Sequence, residues 1–278
     1  YRGCCFNWRG RSVEGFRSFL EELKPKRVRE RVSPRLGLTR YLLEDIPIIF
    51  EDIEGYPNFR IAGNICSSRG IAAKVFGATK ETLVQRFSEK MDHPLPYRLV
   101  DSAEFLENRV KDPDVISHIP LVMYYRAGER YYTSATIVLA RDPVTGRMNA
   151  SFHRLMYLGG NRFSIRLVPR DLYRFHQENR ERGEDTPIVI ICGVHPSLAL
   201  AAATSYGDLN ELEFANSILG GGLECLDMDG IHVPRDCEVV MVGRILRDEL
   251  AEEGPFVDLT GTLDKVRMQP VVEVEELY

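Results

Sequence analysis

Residues 237–261, CEVVMVGRILRDELAEEGPFVDLTG, decide how this chain is read. The apolar, β-branched run from Val239 to Ile245 has the composition of a buried strand. It leads into Glu253-Gly254-Pro255-Phe256-Val257-Asp258, where a turn-forming Gly-Pro stands between two carboxylates. Acids fixed by a turn at the end of a rigid element sit where catalytic groups are commonly carried. On spacing alone, two such acids read as a solvated loop. A second polar cluster shifts the balance. In MNASFHRLMYLGGNRFSIRLVPR (148–170), Asn149 and Arg154 interrupt an otherwise apolar, strand-like stretch. One arginine with two carboxylates can handle a proton, because the cation keeps one acid ionised while the other stays protonated.

Outward from these two stretches, the second half reads as strands at Tyr131 to Ala140, Arg147 to Leu158, Phe163 to Val168, Pro187 to Val194 and Cys237 to Ile245. Two helices, Arg170 to Arg182 and Leu209 to Leu219, lie among them. With few regular βαβ alternations, this pattern predicts a mixed or antiparallel β-barrel rather than a parallel doubly wound sheet. Gly220-Gly221-Gly222 lacks the strand-loop-helix setting of a phosphate loop and reads as a helix C-cap. In the first half, Val13, Phe16, Phe19, Leu20 and Leu23 recur at helical spacing behind Ser12 as N-cap. A strand over Ile46 to Ile53, a turn at Gly55 to Asn58 and a helix over Lys80 to Met91 follow. The fold class is therefore α+β, with an N-terminal α/β domain over 1–112 and a barrel over 113–278.

At 278 residues the chain has room for two modest domains. A formal charge of −5 argues against a nucleic-acid binder. The basic stretch Lys24 to Arg31 is short, interrupted by an acid, and reads as an exposed loop. The six cysteines form no CxxC pair, which excludes the usual zinc and thioredoxin-like motifs, and Cys192 reads as a small core residue. No signal peptide or membrane-length apolar run is present, so a cytoplasmic protein without a membrane span is expected. The chain starts at Tyr1, which reads as a processed or trimmed sequence.

Four stretches, in order, carry a resemblance: PIIFEDIEGYPNFRIAGN (47–64), NASFHR (149–154), LNELEFANSILGG (209–221), and VPRDCEVVMVGRI with EEGPFVDLTG (233–261). The chain resembles the UbiD family of decarboxylases, which use a prenylated flavin. The wording EEGPFVDLTGTLDKVRMQP is most similar to the archaeal branch, which includes a decarboxylase of anhydromevalonate phosphate. The resemblance implies a flavin-binding split β-barrel and a non-oxidative carboxy-lyase. It also implies prenylated FMN supplied by a flavin prenyltransferase, a bound Mn2+ or Mg2+ with K+ as a further candidate, and a homo-oligomer. Family members continue into a C-terminal domain, whereas this sequence ends soon after the EGPxxD element.

The resemblance also assigns residues. Arg154, Glu253 and Asp258 match the catalytic arginine, its acidic partner and the proton donor. Asn149 and Glu211 match metal ligands, their oxygens suiting a hard cation. Ser151, Phe152 and His153 share the NASFHR stretch at the cofactor, and Thr204 and Ser205 are phosphate contacts by position. The third metal ligand of the family is a histidine, and a gap-free count puts Arg170 in its place. Arginine does not coordinate metal but can meet a phosphate through its planar fork; His153 and His176 are the alternative ligands. The expected substrate is trans-anhydromevalonate 5-phosphate, giving isopentenyl phosphate. An aromatic acid, a split-barrel flavin oxidoreductase and a catalytically silent subunit remain open as alternatives.

Overall fold

The computed structural model describes residues 15–111, 114–257 and 261–278. Ser12, the expected N-cap, lies outside the described residues. The first half runs α1 (Phe16–Glu22), β1 (Lys26–Val32), α2 (Thr39–Leu42), β2 (Ile48–Ile53), β3 (Ile61–Gly63), α3 (Arg69–Val75) and α4 (Leu83–Asp92). β1 pairs in parallel with β2, which pairs antiparallel with β3. The basic stretch expected to be an exposed loop is in fact β1. Val28 and Val32 turn inward beside Ile48, Phe50 and Ile53, but Glu30 between them is exposed and the register shifts between Val28 and Arg31, so the sequence shows no alternating apolar period. The cations are neutralised locally: Arg27 bonds Glu21 and Glu51, Arg31 meets Asp52, and Lys26 meets Glu44.

The second half runs β4 (Arg98–Val100), α5 (Val115–His118), β5 (Tyr132–Thr133), β6 (Ile137–Arg141), β7 (Met148–Phe152), β8 (Leu155–Gly159) and β9 (Arg162–Ile165). It continues with α6 (Asp171–Glu181), β10 (Thr186–Cys192), α7 (Pro196–Ala202), α8 (Glu211–Leu219), β11 (Glu224–Met228), β12 (Ile231–Pro234), β13 (Val239–Glu253) and β14 (Arg267–Leu277). Eight strands form one sheet in the order β5-β8-β9-β14-β13-β10-β6-β7. β7 is last in this order and β8 is second, yet only residues 153 and 154 connect them. The three steps from Phe152 to Leu155 span at most roughly 11 Å, so the sheet must curl until its two ends approach. The link from β5 to β6 makes the same crossing through residues 134–136. The result is the α+β, split-barrel fold that the sequence predicts.

This curling explains two differences from the predicted strands. The stretches expected as single strands over 131–140 and 147–158 each break in two at the seam. There Thr136 Oγ1 donates to the carbonyl of His153 at 3.1 Å, and Thr133 and Thr136 share a hydroxyl bond. β13 also runs on beyond Ile245 through the polar LRDELAEE segment, because β14 pairs with it as far as Glu253 and Arg267.

Alternate residues of the sheet feed two cores. Val138, Ala140, Leu155, Phe163, Ile165, Ile188, Ile190, Met241 and Val272 pack with Leu172 and Phe175 of α6. On the other face Ile137, Leu139, Met148, Ala150, Val189 and Ile191 pack against α7 and α8. Gly220 ends α8 in the left-handed conformation (φ 80°), the C-cap expected from the glycine run. No helix among the described residues is long and apolar enough to cross a membrane.

Gly243 sits at a register shift between β13 and β14, where a Cβ would lie 2.1 Å from the carbonyl oxygen of Glu273. Backbone cannot yield there as a flexible side chain would. Gly243→Ala is expected to lower stability by about 1–3 kcal/mol, read as a reduced midpoint in urea unfolding.

Candidate active site

The seam places the chemistry. Arg154, in the link between β7 and β8, sends its guanidinium to the far end of β13. Its Nε and Nη2 donate to the two carboxylate oxygens of Glu253 at 2.9 and 2.8 Å, a bidentate pair. Glu253 is fully buried and also accepts from the Tyr132 hydroxyl at 3.4 Å. Nη2 makes a further bond to Asp264 at 2.8 Å, and the ring of Phe256 lies 4.7 Å from the guanidinium carbon. Burial by itself would push the Arg154 guanidinium down; the bonds to Glu253 and Asp264 outweigh it and hold it up. Burial pushes the Tyr132 phenol well up, with the Glu253 charge adding to the effect. Tyr125 and Tyr132 both pack edge-on against Phe256, so the cluster has an aromatic flank.

A second cluster begins one residue upstream. Asn149 and Ser151 project from the same face of β7, beside Ala140 and Val138 of β6. β7 is an edge strand, and Glu211 at the start of α8 closes that edge: its carboxylate accepts from the Ala150 amide at 3.0 Å and from Asn149 Nδ2 at 3.3 Å. Burial pushes the Glu211 carboxyl up to about 7, only partly offset by backbone donors and by Arg147. The Ser151 hydroxyl lies 3.2 Å from Asn149 Oδ1 and 3.0 Å from His153 Nε2. His153 Nδ1 faces the carbonyl of Arg166 at 3.1 Å, and a carbonyl only accepts. Nδ1 therefore carries the proton, which leaves the Nε2 lone pair available. Burial keeps this ring neutral.

Arg147 ties the cluster to two helices, donating to Asp171 of α6 at 3.1 Å and to the carbonyl of Leu209 before α8 at 3.0 Å. The N-termini of α6 and α8 thereby converge near Asn149, a setting that favours anions. Arg170 is the exposed N-cap residue of α6 at that end. His176 does not join the cluster. It is buried under α6, with Nδ1 against Thr186 Oγ1 at 3.0 Å. Thr204 spends its hydroxyl on the Leu200 carbonyl, while Ser205 is exposed and Phe152 is about two-fifths exposed. Asp258 lies outside the described residues. Among the described residues, no group of three or more His, Cys, Asp or Glu side chains could hold a metal on its own.

Comparison with known proteins decides the lineage. Residues 98–278 match UbiD, described as the 3-octaprenyl-4-hydroxybenzoate carboxy-lyase Rift-related domain. The chain belongs to the UbiD family. Residues 21–91 match the corresponding UbiD N-terminal domain. The chain is 37% identical over 221 residues to the anhydromevalonate phosphate decarboxylase of Methanothermobacter thermautotrophicus, a match covering 78% of this chain and 51% of that relative. It is 31% identical over 269 residues to the enzyme of the same name from Methanosarcina mazei, covering 94% of this chain and 62% of that one. The solved UbiD-class enzyme HmfF from Pelotomaculum thermopropionicum, in complex with FMN, superposes with a TM-score of 0.90 at 28% identity. That match takes in 95% of this chain and 62% of HmfF. The chain thus spans between half and two thirds of the length of these relatives.

Within this UbiD chain the sequence reading missed Arg147, Tyr132, Phe256 and Asp264. None has a periodic or motif signal. Tyr132, Phe256 and Asp264 gain their partners through the seam or the return of the chain towards β14, and Arg147 gains its partners at the starts of α6 and α8. Two outcomes follow. Arg154→Ala leaves a fully buried Glu253 without its cation and should cost about 3–5 kcal/mol of stability, with part recovered in the Arg154→Ala, Glu253→Gln double variant. His176 is held at about 4 by burial, below its usual 6.5. As pH falls from 6.5 towards 4 the unfolded chain takes up a proton that the folded chain resists, so stability drops by up to about 3 kcal/mol. His176→Gln should flatten that slope in unfolding titrations.

Proposed function

We propose that this chain forms the catalytic core of a non-oxidative decarboxylase that acts on an α,β-unsaturated acid with prenylated FMN. The observation that carries the reading is the Arg154–Glu253 bidentate pair at the base of the Gly-Pro turn, in a chain of the UbiD family. Glu253 fixes one edge of the guanidinium, leaving the positive charge to orient a substrate carboxylate. Loss of carbon dioxide breaks a carbon–carbon bond and leaves an electron pair on carbon, so one proton must be delivered. Asp258 is assigned that role by the motif. When bound, the prenylated flavin supplies the electron sink for the bond cleavage.

The residues present fit the implied cofactors. Glu211 is a buried carboxylate with no ion-pair partner among the described residues, and a divalent cation would hold it ionised. Asn149 and Glu211 would hold Mn2+ or Mg2+ through oxygen, with His153 Nε2 rather than Arg170 as the nearest nitrogen ligand. Arg170, at the convergent helix N-termini, is left for the flavin phosphate. The same reading takes the modified flavin from a flavin prenyltransferase and expects a homo-oligomer.

The leading substrate is trans-anhydromevalonate 5-phosphate, converted to isopentenyl phosphate. An aromatic acid is the second reading, favoured by the Tyr125, Tyr132 and Phe256 cluster beside Arg154. Full-length protein co-produced with a flavin prenyltransferase and assayed for carbon dioxide release from both acids decides between them. Asp258→Asn should keep the flavin spectrum yet lose about 10²–10⁴-fold in turnover. Unchanged turnover in that variant would remove Asp258 from the proton-donor role.

A further inference from the structure

A guanidinium presents two forked edges, Nε with Nη2 and Nη1 with Nη2. In Arg154 the first is filled by Glu253. One face is covered by Phe256. The second edge is where another carboxylate could dock with two bonds, and Asp264 already holds its Nη2 donor at 2.8 Å. We propose that Asp264 is a built-in rival of the substrate carboxylate, which must leave Arg154 before an acid can be seated there in the two-bond mode. The inference rests on the reading of Arg154 as the carboxylate anchor.

Three features make Asp264, rather than Glu253, the group that yields. Its side chain is about one-fifth exposed, whereas that of Glu253 is fully buried, so only Asp264 can be rehydrated cheaply. Its other oxygen is held by Arg267 and by the Lys265 amide, so it keeps a cation after release. It also stands on the return arm of the turn rather than in the sheet. The Asp264 amide donates to the Phe256 carbonyl at 2.7 Å, and Val257 bridges Leu263. The arm that carries the rival carboxylate is therefore bonded directly to the arm that carries the ring lying on the guanidinium.

The test is calorimetric titration of FMN-loaded, full-length protein with trans-anhydromevalonate 5-phosphate and, separately, with isopentenyl phosphate, which lacks the carboxylate. If Asp264 holds Arg154 about nine-tenths of the time, Asp264→Asn binds the acid about tenfold more tightly, and isopentenyl phosphate binds as in the wild type. Asp264→Ser should shift acid binding in the same direction. Unchanged or weaker acid binding in both variants, equal gains for both ligands, or loss of folding in both would make Asp264 a structural brace and overturn the proposal. Arg154→Ala separates the two claims. If it binds the acid as well as the wild type does, the anchor reading fails, whereas a proposal that fails while Arg154→Ala loses acid binding leaves the anchor intact.

Discussion

The structure depends on one short connection. His153 and Arg154 are the whole of the chain between β7 and β8, strands that lie last and second in the sheet order. A sheet whose ends are tied by two residues has no open form to relax into. The seam therefore sets the curvature, and the curvature brings the far end of β13 over Arg154. The hydrogen-bond ladder is interrupted at this link. Thr136 and the His153 backbone supply the missing bonds. The two polar clusters are thus neighbours by covalent necessity, one rooted in His153 and the other in Arg154.

The two buried glutamates are treated differently by their surroundings. Glu253 receives a cation and two charge-assisted bonds, which offset the loss of solvation of a fully buried carboxylate. Glu211 receives amide donors alone, and burial drives its carboxyl up to about 7. The two acids thus differ in kind: Glu253 is the fixed counter-charge of Arg154, whereas Glu211 is held by amide donors without an ion pair among the described residues. Asp264 is a third case. Arg267 and Arg154 hold its carboxyl down at about 2 against modest burial, so it stays an anion available to compete.

The barrel was legible in the sequence because its strands are apolar and β-branched, as in IVLA at 137–140 and PIVIIC at 187–192. The Arg154–Glu253 contact was legible only through motif resemblance, since a sequence separation of 99 carries no local signal of proximity. β1 was lost because its inward valines are outnumbered by charges, and β13 was cut short because LRDELAEE has no apolar period. A gap-free count from Asn149 points to Arg170 in the sequence, while in the structure the histidine linked to Asn149 through Ser151 is His153. Asp264 could not be foreseen, because its meaning comes from the arm folding back along Phe256.

The closure of the β7 edge by Glu211 bears on what else could lie there. An unpaired edge normally invites another strand, from the same chain or from a neighbouring molecule. Here a helix-borne carboxylate takes the Ala150 amide in place of a strand. A ninth strand laid along β7 would satisfy the backbone equally well and complete the barrel, but it would push α8 aside and strip Asn149 of its acidic neighbour. The unpaired edge of β7 is thus the condition for having a buried polar cluster there.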